Sequence, residues 1–279
     1  MDLKRNGCIS DAQLIDLKNW FSRHVRSFDT PDPLVRQALA LKVDHSLRVC
    51  DEILNIGGKL ALGDGEMRLA EAMALVHDIG RFKQYYHYKT FVDKKSTDHA
   101  QLGVAALRDG NALAGIDDGA RDLIMKAVSY HNRLHIPEDE SPACVFFTKL
   151  LRDADKLDIF HLVSTYYYVP DSERSAAVEL DLPDAPEVSD EILATLLARK
   201  MVRMEQLRTL NDFKLLQMAW VYDLNFPPTF QFVYQRKYLE RIRDVLPASD
   251  RIDKIYAGLI SYLKENIEFR KVPAPSSRS

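Results

Sequence analysis

A histidine and an aspartate stand side by side at His77-Asp78, where the small apolar run Ala70, Ala72, Met73, Ala74 gives way to Gly80 and then to polar residues. A buried carboxylate is costly unless something cationic meets it. A divalent metal suits both groups, because neutral imidazole and carboxylate are each good ligands. The pair also fits a simple helix-end hydrogen bond, so the question is whether more ligands accompany it. They do. His45 shares a helical face with Ala38, Leu41 and Val49, and His131 continues Ile124, Ala127 and Val128 at i, i+3, i+4, i+7. His99 shares a face with Leu102, Gly103 and Ala106 in the first turn of another helical pattern. Taken singly, each is read equally well as a core histidine with its hydrogen bonds satisfied. Asp153, Asp155 and Asp158 interrupt the apolar run from Val145 to Phe160, so at least one should face inward, and periodicity does not decide which. Four imidazoles on apolar faces of successive helices, with carboxylates beside them, are a transition-metal donor set.

The elements that must position these residues read as helices nearly throughout, which predicts an all-α fold. The first spans about 10–28 and is capped by Ser10 or Asp11, with Leu14, Leu17, Trp20 and Phe21 on one side. The second opens at Pro33 and runs to about Ile56, where Gly57-Gly58 is expected to stop it. The helix bearing His77 and Asp78 should break at Gly80, leaving a long aromatic and basic loop over 82–96 with His87 on its surface. Ser96 or Thr97 then caps a short helix, a further one ends near Asn132, and another spans about 142–168 with His161 packing inward. Helical patterns resume at 192–222 (one long helix or a broken pair), 230–246 and 252–269. The expected organisation is a metal-binding helical core over 1–170, a linker-like loop over 171–190, and C-terminal helices over 191–279 packed on that core. The C-terminal third contains no histidine, so it is expected to be scaffold or dimer surface.

Composition narrows the function classes. In 279 residues, 46% are apolar and 28% charged, as in an ordinary globular protein. A net charge of −3 gives no reason to expect a nucleic-acid polymer or a membrane as partner. Cys8, Cys50 and Cys144 are an odd number, far apart, and suit a reducing cytosol better than a disulfide framework or a thiolate metal site. No apolar run approaches the ~20 residues that span a bilayer. The expectation is a soluble cytoplasmic protein, with a homo-oligomer compatible with the sequence.

The order H…HD…H…H…D over roughly residues 34–165 resembles the HD-domain superfamily of metal-dependent phosphohydrolases. The stretch Arg152-Asp153-Ala154-Asp155-Lys156-Leu157 is similar to the family's Ala-Asp-Arg-Leu segment, and the resemblance makes Asp155 the ligand. The run His77-Asp78-Ile79-Gly80-Arg81-Phe82, followed by Gln84, is also read in many members. His99 and His131 resemble the extra histidines of members with a two-metal centre. After His131, Asn132-Arg133-Leu134-His135-Ile136-Pro137 lacks the GYP extension of the cyclic-di-GMP phosphodiesterases. The resemblance implies one ion held by His45, His77, Asp78 and Asp155, and a second by His99 and His131, with Asp78 bridging. Imidazole-rich ligation favours Fe, Mn, Co, Ni or Zn over Mg. Asp98 and Asp153 are expected behind the ligands, and Asp78 and Arg81 in the chemistry. Arg81, Lys95, Gln84 and His135 are expected to contact a small phosphorylated substrate, with Tyr85, Tyr86, Tyr88 and Phe91 either stacking on a nucleobase or packing among themselves. The expected activity is hydrolysis of a nucleotide or other small phosphoester through a metal-activated water. The alternatives are an HD-type mixed-valent di-iron oxygenase and a non-catalytic helical signalling module.

Overall fold

The computed structural model describes residues 8–170, 174, 179–180 and 182–269. Its Cα packing divides the chain into two units, Met1–Asp158 and Ile159–Ser279. Among the described residues there are helices and turns and no strand, so the all-α class is as expected. No helix among them is long and apolar enough to cross a membrane. Of the linker-like loop, residues 171–173, 175–178 and 181 lie outside the described residues.

The first unit opens with α1 (Asp11–Arg26), where Ser10 and Gln13 form a reciprocal capping box. Asp32 accepts from two backbone N–H groups and Pro33 occupies the first turn, which starts α2 (Pro33–Lys59). Helices α3 (Asp64–Val76), α4 (Gly80–Tyr88), α5 (His99–Asp109) and α6 (Asp118–Tyr130) follow, and then α7 (Pro142–Tyr166), within which the unit boundary falls. Helix α2 packs against α3 and α4, α4 against α5, and α6 against both α3 and α5. Val49, Ile53 and Ile56 of α2 are fully buried, as are Ala70, Ala72, Met73, Ala74 and Val76 of α3, the helix that packs against it. That packing brings together the helix ends on which His77, His99 and His131 stand.

Two glycines differ from expectation. Gly57-Gly58 does not end α2, which continues to Lys59. A Cβ on Gly57 would lie 2.6 Å from Met67 Sδ, so this glycine permits a close approach to α3. Gly80 begins α4 and does not stop a helix; the break falls one turn earlier, at residues 77–79. A Cβ there would lie 2.0 Å from His99 O and 2.5 Å from Gly103 N, both backbone atoms that cannot swing aside. Gly80→Ala is therefore expected to push α4 off α5 and cost about 3 kcal/mol or more, the severe end of overpacking. The check is a lower denaturant midpoint at unchanged m-value; an unshifted midpoint would refute the contact.

The segment expected as a loop over 82–96 is helical as far as Tyr88, where Lys89 closes α4 in the left-handed region at φ 54°. Phe82 is fully buried against Phe21 and Phe28, so the aromatic residue at the start of this segment is core. Helix α5 is capped by Asp98, whose carboxylate accepts from Ala100 N and Gln101 N, in place of Ser96 or Thr97. In the second unit, α8 (Asp190–Leu197) and α9 (Leu210–Ala219) are the broken-pair alternative, and the 230–246 pattern splits into α10 (Pro227–Gln235) and α11 (Tyr238–Asp244). The split falls at Lys237, which adopts φ 56°. Helices α8, α10 and α11 pack on α12 (Asp250–Phe269). His161, expected to pack inward, is exposed.

Candidate metal centre

Three of the four histidines sit at helix ends, and two of them are oriented by one local device. His77 follows α3 directly and its Nδ1–H donates to Ala74 O at 2.7 Å; His131 follows α6 and its Nδ1–H donates to Val128 O, also at 2.7 Å. The last carbonyls of a helix lack intrahelical partners, so each imidazole satisfies one and is locked in a single tautomer. The other two are oriented by carboxylates. His45 Nδ1–H donates to Asp158 Oδ2 at 2.6 Å, and His99 Nδ1–H donates to Asp93 Oδ2 at 2.8 Å. With every Nδ1 engaged as a donor, all four Nε2 lone pairs point the same way, into one volume.

That volume holds two carboxylates. His45 Nε2 lies 3.2 Å from Asp155 Oδ1, and His77 Nε2 lies 3.8 Å from the same oxygen. Asp78 stands between the halves. Its Oδ2 is 3.6 Å from His45 Nε2 and 3.7 Å from His77 Nε2, while its Oδ1 is 3.3 Å from His99 Nε2 and 3.6 Å from His131 Nε2. The donor atoms form two triads, His45–His77–Asp155 and Asp78–His99–His131, each with its three atoms within 4.8 Å of one another. His77 Nε2 is buried and has no hydrogen-bond partner. His99 Nε2 and His131 Nε2 face each other at 3.0 Å, two lone pairs with no proton between them in the tautomers just described. Both arrangements are unfavourable unless a cation lies there, so the residues fit a divalent metal in donor type, tautomer and spacing.

The electrostatics agree. Burial pushes the His77 imidazole down to about 4, against the pull of Asp78 and Asp155, so it is neutral and ready to bind metal at ordinary pH. Burial likewise lowers His99 despite Asp93. For His45, burial and Lys42 pull downward, but hydrogen bonds to Asp155 and Asp158 outweigh them and the net shift is upward. Burial alone would raise Asp78 and Asp155. Lys42 and His77 hold Asp78 well below the usual carboxylate range, and His45 and His77 do the same for Asp155. Both aspartates are anionic.

The expected supporting residues are redistributed. Asp98 caps α5 and accepts from Asn132 Nδ2 at 3.1 Å, and Asp153 is fully buried on α7. The carboxylates that reach the histidine Nδ1 atoms are instead Asp158, also bound by Arg48 Nε at 2.5 Å, and Asp93. Asp158 was visible in the aspartate run, one turn past Asp155. Asp93 lies in an aperiodic segment and gave no sequence signal. Gln84, expected to touch substrate, is fully buried; its amide donates to Asp93 Oδ1, Ser96 Oγ and Thr97 O at 2.8–3.0 Å. It holds the segment after α4 in place. Arg81 donates from Nη1 to Gln84 Oε1, Phe91 O and Asp93 Oδ1, and its Nε lies 3.5 Å from Asp78 Oδ1. Lys95 and His135 are exposed, on the loops that follow α4 and α6.

Residues 43–159 match the family model described as the HD domain. No curated protein and no solved structure gives a significant match to the chain. The matched stretch contains all six converging donors, from His45 to Asp155. With its helical architecture and its clustered histidines and aspartates able to hold a metal, the stretch 43–159 is an HD domain.

Proposed function

We propose that the chain is a metal-dependent phosphohydrolase acting on a small phosphoester, a nucleotide among the candidates, at a dinuclear centre. The observation that carries this reading is the shared carboxylate: Asp78 turns one oxygen toward each half of a six-donor cluster. His45, His77 and Asp155 would hold one ion and His99 and His131 the other, with Asp78 contributing to both. Divalent transition metals bound there would supply Lewis acidity and bring the pKa of a water toward neutrality. Imidazole donors favour Fe, Mn, Co, Ni or Zn over Mg.

The chain's own groups do the rest. Asp158 and Asp93 keep His45 and His99 in the Nδ1–H tautomer, so that Nε2 remains a lone-pair donor. Arg81 ties Asp93 to Asp78 and so holds the carboxylate that orients His99 beside the shared carboxylate. The near-complete burial of all four imidazoles excludes bulk water and strengthens every charge interaction in the site.

The test is a screen of nucleotides, dinucleotides and simple phosphomonoesters against protein loaded separately with Mn(II), Co(II), Ni(II) or Fe(II). Phosphate release that stops on chelation and returns on metal addition is the expected result. Iron-dependent O2 uptake without hydrolysis would replace this reading with an oxygenase.

A further inference from the structure

The cation that sequence order places nearest the centre is committed elsewhere. Nη1 of Arg81 is shared among three acceptors, and its Nε is buried against Asp78. A different cation stands at the opening. Lys42 precedes His45 by one turn of α2, and its Nζ donates to Asp78 Oδ2 at 2.7 Å. The same ammonium lies 5.4 Å from the centroid of the Phe91 ring.

Exposure shows which side of the cluster faces solvent. The four imidazoles are 0–6% exposed and Asp78 is 5% exposed, whereas Asp155 and Lys42 are each 21% exposed. Of the side chains within reach of the Nε2 and carboxylate donor atoms, Asp155 and Lys42 are thus the most open to solvent, ahead of Arg81 at 16%. An anionic group entering there is repelled by Asp155, so it needs a compensating charge on the same rim. An ammonium has three donors and Asp78 takes one of them, which leaves Lys42 able to bind a second acceptor without leaving its place. Its ion pair with Asp78 and its position over Phe91 hold it ready, so little ordering cost is left for the moment of binding.

Building on the phosphohydrolase reading, we propose that Lys42 is the cation that binds the substrate's phosphoryl oxygens, and that Arg81 is a positioning residue for Asp78 and Asp93. The shared chemistry is a phosphoryl dianion or monoanion at the rim, stabilised by a charge-assisted hydrogen bond.

The experiment is calorimetric titration of inorganic phosphate into the full chain loaded with Mn(II), with metal content measured on the same samples. Wild type, Lys42→Met and Lys42→Arg are compared. Lys42→Met is expected to keep its metal and bind phosphate roughly 10- to 100-fold more weakly, as loss of a hydrogen bond to a charged group implies. Lys42→Arg should recover most of that loss. Unchanged phosphate affinity in metal-replete Lys42→Met would overturn the assignment. So would loss of metal in that variant, which would make Lys42 only the counter-ion of Asp78. Metal-loaded wild type that binds no phosphate would overturn Lys42's role and the phosphohydrolase reading together, whereas the two Lys42→Met outcomes overturn Lys42's role alone.

Discussion

Asp78→Asn is expected to empty both halves of the centre at once. The substitution keeps the size of the side chain and removes its charge, so the helices either side of residue 78 have no steric reason to move. Its chemical effect is large, because the two oxygens of Asp78 face different histidine pairs: Oδ2 faces His45 and His77, and Oδ1 faces His99 and His131. An amide offers one weak oxygen donor and turns N–H groups toward the other pair. Metal content should fall below one ion per chain. Hydrolysis should fall by on the order of 10³-fold or more, since metal assistance supplies several kcal/mol of transition-state stabilisation. Lys42 loses its carboxylate partner but can turn to solvent, so far-UV circular dichroism should remain helical. A variant that keeps both metal and activity would refute the shared role of Asp78.

His131→Ala should act on one half only. Its Nε2 lies 3.0 Å from His99 Nε2 and 3.6 Å from Asp78 Oδ1, and no other imidazole of this half could replace it. Metal analysis of the variant should read one ion per chain where the wild type reads two. The remaining ion would rest on His45, His77, Asp78 and Asp155. Activity should drop roughly 100-fold, the scale on which a dinuclear clamp differs from a single Lewis acid. Stability should change little, because the residue ends α6 and its hydrogen bond to Val128 O can pass to water at a helix terminus. Unchanged stoichiometry would reject the two-ion arrangement.

These effects concentrate on residues that the sequence itself marks. Histidines in line with apolar stripes are conspicuous, because a helix that buries one side exposes its period directly. Less legible were the partners that orient them. Asp93 sits in a stretch without period, and its role appears only because Gln84 and Arg81 fold that stretch back onto His99. Lys42 was equally silent. Lysine at an arbitrary helix position is ordinarily solvated, and only the packing of α2 beside the end of α3 puts its ammonium on Asp78. Gln84 shows the converse: its place beside the motif suggests a substrate contact, but the structure buries it and bonds its amide to Asp93, Ser96 and Thr97.

The glycines show the same limit. From sequence, Gly57-Gly58 and Gly80 read as stops, because a glycine has lost the side chain that favours helix. The tertiary structure uses Gly57 and Gly80 as points of contact, where a Cβ would strike Met67 on one helix or the backbone of His99 and Gly103 on another. The amino-acid sequence alone determined the helical class and marked His45, His77, Asp78, His99 and His131 in their order, because helical periodicity and ligand chemistry are local properties of the chain; Asp155 stood out from Asp153 and Asp158 only through the family resemblance. Which oxygen faces which imidazole, which carboxylates fix the tautomers and which cation guards the entrance were decided only by the packing of α2 through α7. Those relations join residues as much as 113 positions apart, as His45 and Asp158 are, and no local pattern encodes such a distance.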